Sequence, residues 1–196
     1  MRQFKTEKRL YRITKTLTER QQSLSVIIEN VHDPHNVSAI FRTCDAVGIP
    51  DVTLLYTQEE FPRISKVTSA SAYKWVNRSR SSSVEDCYKS YREKGYKIYA
   101  SLLSEGAVDL YDIDFTEKCV VVLGNEHRGI SEEAASQADK VFYIPMHGMI
   151  QSLNVSVAAA VTLYEAQRQR RQKGMYEKSE LPEEELNKLI DEWCEK

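Results

Sequence analysis

Three short segments hold residue types from which a binding or catalytic site could be built. In the first, Glu29-Asn30-Val31-His32-Asp33-Pro34-His35-Asn36-Val37-Ser38-Ala39-Ile40-Phe41-Arg42, an arginine stands one and a half turns into a largely apolar helix face, and Asn30 and Asn36 lie in the loop and cap before it. A guanidinium is costly to bury there without an anionic partner. It is also the side chain that grips phosphate oxygens through two parallel hydrogen bonds. A phosphate clamp and an internal ion pair both fit Arg42, and Asn36 fits the cap of that helix. In the second segment, apolar Val120–Leu123 runs into Gly124-Asn125-Glu126-His127-Arg128-Gly129. Gly124 lets backbone approach a ligand, and Ser131 suits the N-cap of a following helix. The glycine spacing is that of neither a dinucleotide fingerprint nor a P-loop, which argues against nucleotide phosphates as the ligand. An ordinary strand–loop–helix junction fits equally well. In the third segment, Ile144-Pro145-Met146-His147-Gly148-Met149-Ile150-Gln151 leads through Ser152-Leu153-Asn154 into a helix. Ser152 or Asn154 stands near its cap, and Ser156, Ala158, Ala159 and Ala160 let a backbone or ligand pack closely. Exposed backbone groups in such a loop could hold the edge of an adenine. Tight helix packing explains the same small residues.

The elements that must position these segments alternate along the chain. A helix is expected over residues 3–20, with Phe4, Leu10, Ile13 and Leu17 as a sparse apolar stripe among basic residues. Short apolar strands are expected at Ser25–Ile28, Val52–Leu55, Lys97–Ser101, Val120–Leu123 and Val141–Ile144. Helices are expected between them, from Asn36 to Gly48, Val84 to Lys94 and Ser131 to Ala138. A long helix from about Leu153 to Arg171 and a short acidic one after Pro182 complete the chain. Buried strands alternating with helices imply an α/β fold, a parallel sheet covered by helices on both faces. Ligands of such sheets gather at the carboxyl ends of the strands, where all three segments lie.

Composition narrows the class further. Of 196 residues, 41% are apolar and 29% charged, which places the chain among soluble globular proteins. No apolar run is long enough to cross a bilayer, and the charged N-terminus lacks a secretory pattern, so a cytoplasmic location is expected. Cys44, Cys87, Cys119 and Cys194 form no CxxC pair and read as free thiols, without a metal site. His32, His35, His127 and His147 read as local hydrogen-bonding residues. The formal net charge of −2 hides a basic stretch at residues 1–20, net +5, and an acidic one at 175–196, net −5. A polyanion could therefore dock locally on an acidic protein.

Taken together and in this order, the three segments resemble those of the TrmH family in the SPOUT methyltransferase superfamily. The resemblance rests on Asn-Val-Ser-Ala-Ile-x-Arg-Thr-x-Asp-Ala-Val-Gly, the strand-Gly-x-Glu-x-x-Gly loop, and Ile-Pro-Met followed by Gln-Ser-Leu-Asn-Val-Ser-Val-Ala. Glu-Ala-Gln-Arg-Gln-Arg adds to it, and it covers the chain from about Val26 to Arg171. It is closest to the branch that methylates guanosine 18 of tRNA, which shares a basic N-terminal helix and a short C-terminal extension. Asn125, His127 and Arg128 vary within the broad family, so the loop does not choose the nucleotide.

The resemblance implies a SPOUT domain at residues 25–173 with a C-terminal trefoil knot, a basic helical extension at 1–24 and an acidic one at 174–196. It implies S-adenosylmethionine as cofactor, held by Ser101, Leu102, Gly124, Ile144, Met146 and Leu153. A homodimer is implied too, with the active site at the interface and tRNA as partner. Arg42 would bind the phosphate beside the target ribose and help its 2′-hydroxyl lose a proton, positioned by Asn36, Glu126, Ser152 and Asn154. Arg9, Arg12, Arg20, Arg168, Arg170 and Arg171 are the expected tRNA contacts, on solvent-facing helix surfaces. The alternatives are a ribose methyltransferase for ribosomal RNA or the tRNA wobble nucleotide, and a non-catalytic RNA-binding protein of the same fold.

Overall fold

The computed structural model describes residues 2–61 and 72–196. Seven strands form one sheet: β1 (Leu24–Glu29), β2 (Asp51–Leu55), β3 (Asn77–Ser81), β4 (Lys97–Ser101), β5 (Val108–Asp109), β6 (Cys119–Leu123) and β7 (Lys140–Tyr143). Their order is β3-β2-β1-β6-β4-β7-β5, and every pairing is parallel. The central strands read as uninterrupted apolar runs because both faces are covered. On one face α2 (Pro34–Val47) and α5 (Val155–Gln172) bury Ile40, Phe41, Ala159 and Leu163 against Val26, Ile28, Val121 and Leu123. On the other, α3 (Val84–Glu93) and α4 (Glu132–Ser136) bury Val84, Tyr88 and Ala134 against Ile27, Ile98, Val120 and Val122.

The expected elements are present with shifted ends, and four differences have physical causes. The first helix, α1, spans only Glu7–Thr18, because the Thr6 side chain caps Arg9 N. Phe4 falls in a separate 3-10 turn and is exposed instead of joining the apolar stripe. Asn36 does not cap α2. Asp33 does, accepting from His35 N at 2.8 Å, with Pro34 in the first turn. Strands β3 and β5 were not expected, since one is the polar Asn-Arg-Ser-Arg-Ser and the other has two residues.

The acidic C-terminal stretch is a packing helix. Helix α6 (Glu183–Glu195) lies on α1, burying Ile190, Trp193 and Cys194 against Ile13 and Leu17, and Arg2 pairs with Asp191 at 2.9 Å. The opposite charges of the two ends of the chain thus face each other.

Two of the six expected tRNA contacts are removed from the surface by the fold. Arg20 is 1% exposed and donates to Ile49 O (2.7 Å), Trp75 O (3.1 Å) and the Asp45 carboxylate (2.6 Å). Arg170 is 0% exposed and donates to Phe115 O, Glu117 O, Ser23 O, Ser23 Oγ and Gln21 Oε1 at 2.8–3.2 Å. Arg20 follows the end of α1 and turns inward. Arg168 and Arg171, three residues apart, share the exposed side of α5, whereas Arg170 is turned away from it into the protein. Arg170 is a structural tie between α5 and the β1 and β6 entry loops. Replacing it with Met should destabilise the protein by about 3–5 kcal/mol, because several buried acceptors lose their donor together. Urea unfolding at neutral pH measures this. A loss under about 1 kcal/mol, the range of a surface charge, would contradict the buried network.

Candidate active site

The carboxyl ends of β4, β6 and β7 open onto a cavity of about 300 Å³. Ser101 closes β4, Leu123 and Gly124 close β6, and Ile144 follows β7. Met146 and Leu153 complete the wall from the loop that leads into α5. All six residues expected to meet the cofactor therefore line one space, together with Glu126 and Ser152.

The loop after β6 is shaped by its backbone. Asn125 and Gly129 exchange two backbone hydrogen bonds, Asn125 N to Gly129 O at 2.8 Å and Gly129 N to Asn125 O at 2.9 Å. The Asn125 side chain accepts from His127 N and Arg128 N and donates to Asn30 O at 2.7 Å. Gly129 takes the left-handed conformation at φ +69°, open to glycine at little cost. The result is a small closed turn pressed against the end of β6.

Glu126, in that turn, gathers the three segments. Its carboxylate accepts from His32 N (3.2 Å), Asp33 N (3.4 Å) and Asn36 Nδ2 (2.8 Å). The Asn36 carbonyl in turn accepts from Asn154 Nδ2 at 3.1 Å. The Asn154 Oδ1 then caps α5, accepting from Ser156 N and Ser156 Oγ. One hydrogen-bonded chain thus joins the start of α2, the β6 loop and the start of α5. Asn36 can take part because Asp33 has taken over the cap. Burial alone would raise the Glu126 carboxyl, but the donors from Asn36 and the backbone hold it below the ordinary carboxylate range.

A group whose folded value is depressed contributes stability above its unfolded value and loses it as pH falls through the folded one. Glu126→Gln exchanges an acceptor oxygen for an NH2 aimed at backbone N–H groups. It should cost about 1 kcal/mol at neutral pH. The gap to the wild type should narrow as pH drops below the usual carboxylate range. Unfolding curves at several pH values test this, and a gap that widened in acid would contradict the assignment.

Arg42 is exposed on α2, has no hydrogen bond or ion pair among the described residues, and does not line the cavity. Arg9 lies over the Trp75 ring at 5.5 Å, Arg12 is exposed, and Arg168 pairs with Glu165 at 2.7 Å. Asn30, in the first segment, had no role assigned from the sequence; its Oδ1 accepts from Thr57 N, Gln58 N and Glu59 N and so closes the loop after β2. The available signal was an asparagine directly after an apolar strand, a residue that tolerates the left-handed backbone it adopts there at φ +50°. Sequence reasoning missed Glu59, which binds Arg128 at 2.5 Å and lies 3.6 Å from His32, linking that loop to the β6 turn. Glu29, buried, holds Ser131 N and Oγ at the start of α4.

Residues 23–164 match the SpoU rRNA Methylase family, and residues 168–194 match the SpoU rRNA methylase C-terminal family. This chain belongs to the SpoU rRNA methylase family. Among its SpoU relatives is a tRNA (guanosine(18)-2′-O)-methyltransferase of Thermus thermophilus, 43% identical over 98% of both chains. The crystal structure of an Aquifex aeolicus TrmH/SpoU tRNA modifying enzyme superposes with a TM-score of 0.88. It is 42% identical over 95% of each chain. The SpoU methyltransferase AviRb of Streptomyces viridochromogenes, solved with AdoMet, has a TM-score of 0.68 and 27% identity, over 79% of this chain and 62% of that one. The family thus fits the parallel sheet and the site at its carboxyl end. No helix among the described residues is long and apolar enough to cross a membrane.

Proposed function

We propose that the chain is an S-adenosylmethionine-dependent methyltransferase acting on a ribose 2′-hydroxyl of tRNA, at guanosine 18 of the D-loop. The observation that carries this reading is the Glu126–Asn36–Asn154 chain beside a cavity lined by all six expected cofactor residues. The substrate follows from relatives of that name aligned along nearly the whole chain.

The cavity fits the cofactor chemically. Its volume is at the lower end for small-molecule sites. Leu102, Ile144 and Leu153 offer apolar faces to a purine, while backbone at strand ends offers donors and acceptors to its edge. When bound, S-adenosylmethionine supplies an activated methyl group, which leaves the protein to align an oxygen and accept help from its surroundings in removing a proton. Arg42 would hold the phosphate next to the target ribose bidentately and favour loss of the hydroxyl proton, with that phosphate as acceptor. It is no base itself, since a guanidinium stays protonated in proteins and has no lone pair to accept a proton. Glu126, Asn36 and Asn154 fix α2 and α5 relative to the cavity, and Ser152 orients the ribose.

We assign a second copy of the chain to the exposed apolar surface around the third segment. Met149 and Ile150 are 99% and 65% exposed, and Val157 and Tyr164 stand two turns apart on the outer face of α5. A homodimer covering them would bring Arg42 of one copy to the cavity of the other. The knot belongs to the same proposal. β7 lies beyond β4, yet α5 returns across the sheet to pack on α2, and a trefoil threading past the β6 loop accounts for that return. Residues 25–173 would then be the catalytic domain, with 1–24 and 174–196 a paired extension that docks tRNA in the cytoplasm.

Methyl transfer from labelled S-adenosylmethionine to unmodified tRNA transcripts, mapped by nucleotide, tests the reading. The expected product is 2′-O-methylguanosine at position 18. Cofactor binding without that product would redirect the activity to ribosomal RNA or a wobble nucleotide. Absence of cofactor binding would leave only a non-catalytic RNA-binding role.

A further inference from the structure

Strand β3 is one edge of the sheet, and four of its five residues, Asn77, Arg78, Ser79 and Arg80, are exposed. An edge strand so polar needs only scattered charge to avoid pairing with another chain. This one carries two arginines and no acid. The register gives them a single direction. Arg78 pairs with Val52 and Arg80 with Leu54, whose side chains face α2, while Ser79 pairs with Thr53 on the opposite face. Both arginines therefore stand on the α2 side of the sheet. Arg78 has no hydrogen bond or ion pair among the described residues, and Arg80 lies over the Phe61 ring at 4.8 Å. The acids nearest in sequence, Glu85 and Asp86, open α3 on the other face.

What lies at either end of this edge gives it a direction. Below it, a cavity of about 270 Å³ is lined by Arg9, Arg12, Asp45, Trp75 and Trp193. Beside it, α2 presents Asp45 towards Trp75 through Arg20, and Arg42 stands three residues earlier on the same flank of that helix. The catalytic arginine thus leans towards the side of the sheet that bears β3. Successive outward residues of a strand are about 7 Å apart, a spacing comparable to that of neighbouring phosphates along a nucleic-acid strand.

We infer that Arg78 and Arg80 form a rail for the RNA backbone, leading from the Arg9–Arg12 cavity along the β3 edge to the Arg42 flank of α2. The occupant is RNA, since among the described residues neither arginine has an acidic partner, and both stand on one face of a protein that is acidic overall. The inference rests on the tRNA reading above and adds two contacts that it does not include.

The test is the salt dependence of tRNA binding by the full chain, for the wild type, R78Q/R80Q and R78K/R80K. Each phosphate contact contributes about 0.7 to 0.9 to the slope of log affinity against log salt. The glutamine variant should therefore lose about 1.4 to 1.8 of that slope, with a higher KM for tRNA and kcat near the wild-type value. The lysine variant should keep the slope, because a phosphate accepts either cation, whereas a packing role for Arg80 on Phe61 would not be rescued. Cofactor affinity, unchanged in both, verifies the fold. An unchanged slope in the glutamine variant, or an equal loss in the lysine variant, would overturn the rail. Because the readout is binding, it stands even if the wild type methylates no tRNA. That result would refute the activity alone, and a wild type that bound no RNA would refute both.

Discussion

Arg42→Ala is expected to slow methyl transfer about 10³-fold, the scale of losing a charged group that acts on the transition state, with cofactor affinity near the wild-type value. The separation follows from position. Arg42 is exposed on α2 and absent from the wall of its own cavity. In the proposed dimer it reaches the other copy's site to meet the target phosphate, so its removal leaves the six residues that would hold the cofactor intact. Nor does it anchor the fold, since among the described residues it has no hydrogen bond or ion pair to lose. Single-turnover transfer with saturating tRNA isolates the chemical step from docking. Arg42→Lys should recover only part of the rate, because an ammonium supplies the charge without the planar two-point grip. If the alanine variant lost cofactor affinity and kept its rate once saturated, Arg42 would be a binding residue and the assignment of phosphate and proton would fail.

The contrast between Arg42 and Arg170 shows where the sequence was legible. Both are helical arginines, Arg42 after the apolar Ala39-Ile40-Phe41 and Arg170 within a polar, basic run, and charge alone separates neither from a surface residue. Burial sorts them. Arg170 lies where α5 crosses the loops before β1 and β6, and those loops end in carbonyls that need a donor. Nothing in the local pattern announces those carbonyls, because they come from residues about 50 and 150 positions away. Continuous apolar runs, in contrast, report their own burial, so β1, β4 and β6 were readable to within a residue. Strand β3 was not, because an edge strand needs only one neighbour and its composition answers to solvent.

The site was legible as three segments but not as one network. Asn36 read as a cap because asparagine suits that place. The structure gives the cap to Asp33 and turns the Asn36 amide to Glu126 and Asn154 instead. Residue type supplied the ability to bond, and tertiary placement chose the partner. The role of Asn30 and the whole of Glu59 escaped for the same reason, since each acts by closing a loop on backbone or side chains brought near by folding.

Gly124→Ala should have the largest effect on the fold of any single methyl group added at the site. A Cβ there would lie 2.2 Å from Gly129 C and Ile130 N and 2.4 Å from Gly129 O. All three are backbone atoms, so no side chain can swing aside. Relief requires moving the 125–129 turn, and that turn carries the Asn125–Gly129 pair, the Asn125 bond to Asn30 and the Glu126 carboxylate. The expected cost is more than about 4 kcal/mol, or an equivalent loss of cofactor affinity if the turn shifts without unfolding. Two other glycines calibrate the result. At Gly129 a Cβ meets only the flexible end of Leu102, at 3.1 Å, and the cost is mainly that of the left-handed backbone, about 1–2 kcal/mol. At Gly148 nothing lies within 4 Å, and alanine should be close to neutral. Thermal unfolding and cofactor titration of the three alanine variants should therefore rank Gly124 far above Gly129, and Gly129 above Gly148. A Gly124→Ala protein with native stability and native cofactor affinity would show that the turn does not press on the end of β6, and the cavity built on that contact would have to be redrawn.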